Sequence, residues 1–216
     1  MPDKDVVIEQ IRVAFGENQY PGDSFLQGSF DGCEPAEAVA PFKGHTDWQS
    51  IPSVLLDANY ATLSFFSEAA LRFFLPAYLI ADVRGELHTA DPLFVLIHGF
   101  SDASIKHQVK TRTFVRKIGK TAFINPRRYG GITFNDYARY RLSVFTQEEA
   151  TAIIAYLHYK RATDPDQLYT VQIDAALSGY WIERAQHAPT RACLRQYLAE
   201  EAEYMTALTA ATSEHG

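Results

Sequence analysis

The chain has 216 residues, of which 47% are hydrophobic and 13% aromatic, so it holds enough apolar material for a sizeable core. Its 20 Lys and Arg against 26 Asp and Glu give a net charge of -6, which argues against nucleic acid or a membrane surface as a partner. There is no signal-peptide pattern and no apolar run long enough to cross a bilayer. We therefore expect a cytoplasmic protein with a single domain over residues 1–216, to which a last helix over about residues 189–211 either belongs or is appended.

The first half of the chain predicts helices separated by one long loop. Apolar residues recur at helical spacing over about residues 3–15, and the chain is then rich in Gly, Pro, Asp and Ser as far as about residue 50. Within this loop, Tyr20-Pro-Gly-Asp23 predicts a type II turn. A loop of this length is usually either functional or held in place by its own aromatic residues, and both alternatives stay open.

A central helix is predicted next, starting after Ser67, which suits an N-cap, and ending near Gly85. Apolar residues cover nearly every face of it, as expected of a helix that other helices surround. The apolar run from Pro92 to Ile97 is too short for periodicity to distinguish a buried strand from a helical turn.

The second half predicts further helices. Ser101 or Asp102 suits the start of a basic helix that runs to about Ile118. Thr146-Gln-Glu-Glu149 has the pattern of a capping box, and Asp164-Pro-Asp166 separates the helix that it starts from the next one. The predicted fold is all-α: a compact multi-helix bundle of seven or eight helices with one long aromatic-rich loop.

No catalytic, metal or cofactor site is predicted. The run from Leu93 to Asp102 is similar to the strand and His-Gly loop of α/β-hydrolases, but the chain has no Gly-x-Ser-x-Gly sequence that would supply a nucleophile. The seven His residues are scattered, without the spacing of metal ligands.

Ligand-binding candidates lie in two segments. Polar and aromatic side chains of the 20–48 loop would line a cleft if they converge. The 125–131 segment, Asn-Pro-Arg-Arg-Tyr-Gly-Gly, concentrates donors that suit an anion, although its arginines could instead pair with the acidic loop. The candidate ligand-binding residues are Tyr20, Asp23, His45, Trp48, Arg127 and Arg128.

Three stretches together resemble a bacterial family of uncharacterised proteins, a domain of unknown function. They are Ala14-Phe15 followed by Tyr20-Pro-Gly-Asp23, then Leu63–Tyr78 with its Phe-Leu-Pro-Ala sequence, and then Tyr140–Leu157 with its Phe-Thr capped helix. The resemblance covers about residues 8–160 and implies a bacterial origin and one domain, but no activity, substrate or site.

Two classes of function remain. The first is a binding or interaction protein whose acidic surface covers a basic protein partner, or which forms a homodimer. The alternative is an enzyme of unrecognised type that uses the 20–48 and 125–131 loops. In it, Asp23 or His45 would be the general acid or base, and Arg128 would hold an anionic group.

Overall fold

A computed structural model describes residues 3–30, 32–98, 104–109, 112–117, 141–188 and 191–213. These residues are mainly helical, so the prediction of an all-α bundle is confirmed. Several short helices lie within the region that the sequence predicts as a long loop. The helices are α1 (Lys4–Phe15), α2 (Glu34–Val39), α3 (Ser53–Ala58), α4 (Thr62–Phe65), α5 (Glu68–Arg84), α6 (Pro92–Ile97), α7 (Gln147–Thr163), α8 (Thr170–Ala176), α9 (Ile182–His187) and α10 (Arg191–Ser213).

The central helix of the bundle is α5. The Ser67 side chain accepts the backbone N–H of Ala70 at 3.1 Å, and Gly85 ends the helix with a φ of 74° that favours glycine. Residues on every side of α5 are buried, as expected from its apolar sequence. Helix α1 packs against α5 and α7 through the stripe of Val7, Ile8, Ile11 and Phe15.

The ambiguous run from Pro92 to Ile97 is a helix rather than a strand. The carboxylate of Asp91 caps it by accepting the backbone N–H of Phe94 at 3.1 Å, and Pro92 occupies the first turn, where its missing N–H does no harm. The indole of Trp181 donates to the Leu96 carbonyl oxygen at 2.9 Å and so joins α6 to the later helices.

The predicted capping box at the start of α7 is confirmed. The side chain of Thr146 accepts the backbone N–H of Glu149, and the Glu149 carboxylate accepts the backbone N–H of Thr146. After α7, helices α8 and α9 follow each other through a π-helical turn at Leu177–Trp181. The last helix is close to the predicted range.

The predicted basic helix after Ser101 or Asp102 is wrong over the residues that the structure describes. Strands β1 (Ser104–Val109) and β2 (Arg112–Lys117) pair antiparallel there, with Ser104 opposite Lys117 and Val109 opposite Arg112. β-branched residues recur through this sequence, and their restricted side chains favour a strand over a helix. Capping residues at Ser101 and Asp102 therefore do not decide the structure of the residues that follow them.

Aromatic residues of the long loop hold it against α5. The ring of Phe42 lies 5.1 Å from that of Phe66 and 5.2 Å from that of Phe74, and Phe66 stacks on Phe74 at 4.9 Å. These rings are buried within one hydrophobic cluster that extends through the bundle. Of the two alternatives for the loop, the aromatic anchoring is therefore present, while a function for the loop stays a prediction. The single domain over residues 1–216 also stays a prediction.

Candidate functional site

The two ends of the aromatic-rich loop meet at Asp23. The hydroxyl of Tyr20 donates to the Asp23 carboxylate, which also accepts the backbone N–H of Gly44 at 2.9 Å. Gly44 has a φ of 76°, a conformation that favours glycine. The structure thus brings Tyr20 and Asp23 into contact, and His45 follows Gly44 directly in the sequence.

The turn itself differs from the predicted type. Gly22 has a positive φ of 97°, as a type II turn requires, but its ψ of 150° lies far from the value near 0° of that turn. The extended ψ leads directly into a 3₁₀ turn at Asp23–Phe25, in which Phe25 N–H donates to the Gly22 carbonyl at 3.0 Å.

Electrostatics fix the protonation of this pair at neutral pH. Burial, together with the hydrogen bond to Asp23, raises the pKa of Tyr20 to about 12. The Tyr20 hydroxyl and the Gly44 amide hold the pKa of Asp23 below its usual value. The pair is therefore a neutral phenol beside a carboxylate. This arrangement suits a hydrogen bond that holds the two ends of the loop together better than it suits proton transfer near neutral pH.

The other predicted site residues do not join this cluster. The side chain of Trp48 is buried and lines a separate cavity of about 250 Å³ together with Arg12 and Arg84. Arg127 and Arg128 lie outside the described residues, so the anion site predicted for them stays a prediction. His45 is half-buried, and a cleft formed by all six candidate residues stays a prediction.

A groove of about 700 Å³ lies between α1 and α7. Two valines of α1 that are seven residues apart, and therefore on one face of the helix, are exposed in it: Val6 at 53% and Val13 at 73%. Its charged lining residues among those described are Glu9 and Glu148. The lining residues are Val6, Glu9, Gln10, Val13, Ala14, Gln147, Glu148, Thr151 and Ala152. The groove was not predictable from the periodicity of α1, which indicates the buried stripe but not a second apolar face.

A buried ion pair lies beside the start of α7. Arg72 of α5 donates from Nε and Nη2 to the two carboxylate oxygens of Glu149, at 2.9 and 2.7 Å. One of these oxygens also accepts the Thr146 backbone N–H at 2.8 Å, so the carboxylate of the capping box belongs to both helices. Its partner Arg72 is distant in sequence, and no local pattern indicates it.

A second polar group joins the same two helices further along. The Tyr156 hydroxyl donates to Asp82 at 2.6 Å, and Lys160 donates to the same carboxylate at 3.1 Å. Burial, and then the charge of Asp82, raises the pKa of Tyr156 well above its usual value. Tyr156 therefore stays protonated near neutral pH, and its position predicts a structural role.

The described residues contain no group of three or more His, Cys, Asp or Glu side chains arranged to hold a metal ion. Within those same ranges, none of the helices combines the length and the apolar character needed to span a membrane.

The sequence pattern of one family, described as "Family of unknown function (DUF6714)", matches residues 3–117. Because the match includes more than half of the chain, the chain belongs to that family. The expected membership of an uncharacterised family is therefore confirmed. The Tyr20-Pro-Gly-Asp23 turn and the Leu63–Tyr78 stretch lie within the matched residues, whereas the Tyr140–Leu157 stretch lies beyond them. No curated protein and no solved structure matches the chain.

Proposed function

We propose that this chain is a binding protein of the bacterial cytoplasm whose groove between α1 and α7 receives a basic amphipathic helix of a partner protein. The observation that carries the proposal is the exposure of Val6 and Val13 in a groove whose charged lining residues are Glu9 and Glu148. The bacterial origin is supported by the resemblance of the three sequence stretches, and the cytoplasm by the two exposed cysteines, Cys33 and Cys193, which are not joined in a disulfide.

Shape and charge favour this partner. Val6 and Val13 lie about 10 Å apart along α1, a spacing that the apolar face of a helix matches with residues two turns apart. Lys or Arg beside that face would reach Glu9 and Glu148 at the rim, and the net charge of -6 would attract such a partner. A second copy of the chain carries the same net charge, so it is a less favourable occupant.

The test uses a short, dye-labelled synthetic helix with Leu on one face and Lys on the other, titrated with the full chain and followed by fluorescence anisotropy. We expect saturable binding that weakens with added salt. Val13→Ser should weaken binding by about tenfold, because it removes apolar contact from an exposed position without disturbing the core. Val54→Ser is the matched control, since Val54 is 78% exposed on α3, outside the groove.

Equal effects of Val13→Ser and Val54→Ser would contradict the proposed location. Equal binding of a helix in which Glu replaces Lys would contradict the proposed charge of the partner. A dimer that dissociates on Val13→Ser, observed by sedimentation, would replace the basic partner with a second copy of the chain.

The alternative of an enzyme is less well supported. The shifted pKa values keep Tyr20 protonated and Asp23 ionised near neutral pH, so neither exchanges a proton easily there. Its other elements, His45 as acid or base and the 125–131 loop as anion holder, stay predictions.

A further inference from the structure

A separate cavity of about 220 Å³ lies between the 18–25 segment, the first half of α5 and the C-terminal helix α10. Aromatic rings of Tyr20, Phe25 and Phe73 line it on one side, and Leu198 and Ala202 of α10 line it on the other. None of its lining residues belongs to the groove between α1 and α7. It therefore requires an explanation of its own.

Hydrogen bonds hold the inner walls in place. The side-chain amide of Asn18 donates to the Arg72 carbonyl at 3.1 Å, and the Ser67 hydroxyl donates to the Phe25 carbonyl at 2.6 Å. The Tyr20 ring meets Phe73 edge to face, with 5.4 Å between ring centres. The cavity is thus formed before any ligand arrives, which lowers the entropic cost of binding.

Arg72 is the charged residue among the described lining residues of the cavity. The Arg72 side chain donates from Nε and Nη2 to Glu149, whereas its Nη1 donates to no acceptor among the described residues. A guanidinium carries further N–H groups on Nη1. The side chain keeps 17% of its surface exposed, and the bidentate pair fixes its orientation.

We propose that this cavity binds a small uncharged ring that carries a carbonyl or amide oxygen. The ring packs among Tyr20, Phe73 and Leu198, and the oxygen accepts an N–H of Arg72. A volume of about 220 Å³ lies below the roughly 300 Å³ from which drug-sized sites begin, so the ligand is small.

Charge balance explains why the ligand is uncharged. The Arg72 charge is already balanced by Glu149, and a second carboxylate, Asp23, accepts the hydroxyl of Tyr20 in the cavity wall. An anionic ligand would therefore meet two carboxylates for one guanidinium, whereas a neutral oxygen can accept the hydrogen bond without that repulsion.

Helix α10 forms the outer wall. Its Leu194 is buried, while Tyr197 and Leu198 pack against the core only in part. Because a ligand would add contacts to Leu198 and Ala202, its binding should also stabilise this helix on the bundle.

The test follows the binding of benzamide to the full chain, labelled with ¹⁵N, by NMR titration. Benzamide has a ring and a neutral amide oxygen, whereas benzoate has the same shape and a negative charge. We expect saturable shifts near Tyr20, Phe73 and Leu198 with benzamide, and a dissociation constant for benzoate that is higher by about tenfold or more.

Two variants of α10 locate the site. Ala202→Leu fills the cavity and should raise the dissociation constant of benzamide by about tenfold or more. The matched control is Ala192→Leu, which adds the same side chain at an exposed position of the same helix and should change nothing. Amide spectra of both variants would verify that the fold is kept.

Three results would overturn the proposal: no saturable shift with benzamide, benzoate binding as tightly as benzamide, or Ala202→Leu binding like Ala192→Leu. Val13→Ser should leave benzamide binding unchanged, so failure here is distinct from failure of the groove proposal.

Discussion

The same two helices, α5 and α7, are joined by two polar groups that differ in their access to water. In the Arg72–Glu149 pair, 1% of the Glu149 side chain is exposed, whereas in the group of Asp82, Tyr156 and Lys160 the two charged side chains keep 17% and 26% of their surface. Glu149 also caps α7, while Asp82 lies in the last turns of α5. Because removal of one partner from a buried ion pair leaves the other charge buried and unpaired, we expect the loss of Glu149 to cost more stability than the loss of Asp82.

The largest expected effect is that of Glu149→Ala. The variant removes the partner of a mostly buried guanidinium and one half of the capping box, so the free energy of unfolding should fall by about 3–5 kcal/mol. Urea denaturation followed by circular dichroism measures the change. Glu148→Ala is the matched control, since Glu148 is exposed in the same helical turn and its loss should cost at most about 1 kcal/mol. Similar values for both variants would show that burial and the ion pair with Arg72 add nothing to the cost of losing Glu149.

A smaller effect, visible only at alkaline pH, is expected from Tyr156. Its pKa is raised in the folded state by burial and by Asp82, so the folded chain keeps a proton that the unfolded chain releases near pH 10. The stability that this proton provides is complete below about pH 10 and is lost as the pH rises further. Above about pH 10, the unfolding free energy of the unmodified protein should fall with pH more steeply than that of Tyr156→Phe, by about 1.4 kcal/mol per pH unit.

Urea denaturation between neutral pH and pH 11 would measure these slopes. Tyr159→Phe is a suitable control, because Tyr159 lies on the same helix without a polar partner for its hydroxyl among the described residues. Equal alkaline slopes for Tyr156→Phe and Tyr159→Phe would show that the Asp82 group does not hold the Tyr156 proton.

The smallest effect is expected at the ion pair of Arg161 and Asp174, in which Nε of Arg161 lies 2.7 Å from Oδ1 of Asp174. Both side chains are about half exposed, so water and salt can replace the interaction. Arg161→Ala should leave the urea midpoint unchanged within error. A loss comparable to that of Glu149→Ala would contradict the proposed dependence on burial.

Helix ends were predictable from the sequence because their signals are local. Ser67, Gly85 and the Thr146–Glu149 capping box satisfy backbone groups within a few residues of themselves, and all are found as predicted. The contacts between these helices were not predictable. Arg72 and Glu149, for example, are 77 residues apart, and only the fold brings them together. The β-hairpin was missed because a capping pattern cannot report whether the residues after it favour a strand.

The candidate site was predicted only in part. Tyr20 and Asp23 are three residues apart, so a turn between them was predictable, although its type was not. The structure adds the Gly44 amide, from the far end of the loop. Trp48 lines a different cavity, because its large apolar side chain is buried on another side of α5. The exposed face of α1 was not predictable, because the sequence does not distinguish Val6 and Val13 from the core residues of the same helix.

The position of Arg72 connects the two proposed sites. Its guanidinium lies in the wall of the cavity and also holds Glu149 in the first turn of α7, and Gln147 and Glu148 of that same turn line the groove. A ligand that binds Arg72 would therefore act, through Glu149, on the turn that a partner helix meets. Because such coupling is reciprocal, a partner in the groove would change the affinity of the cavity by the same factor. In that case the protein would be an allosteric one, in which a small molecule controls a protein contact through a single ion pair.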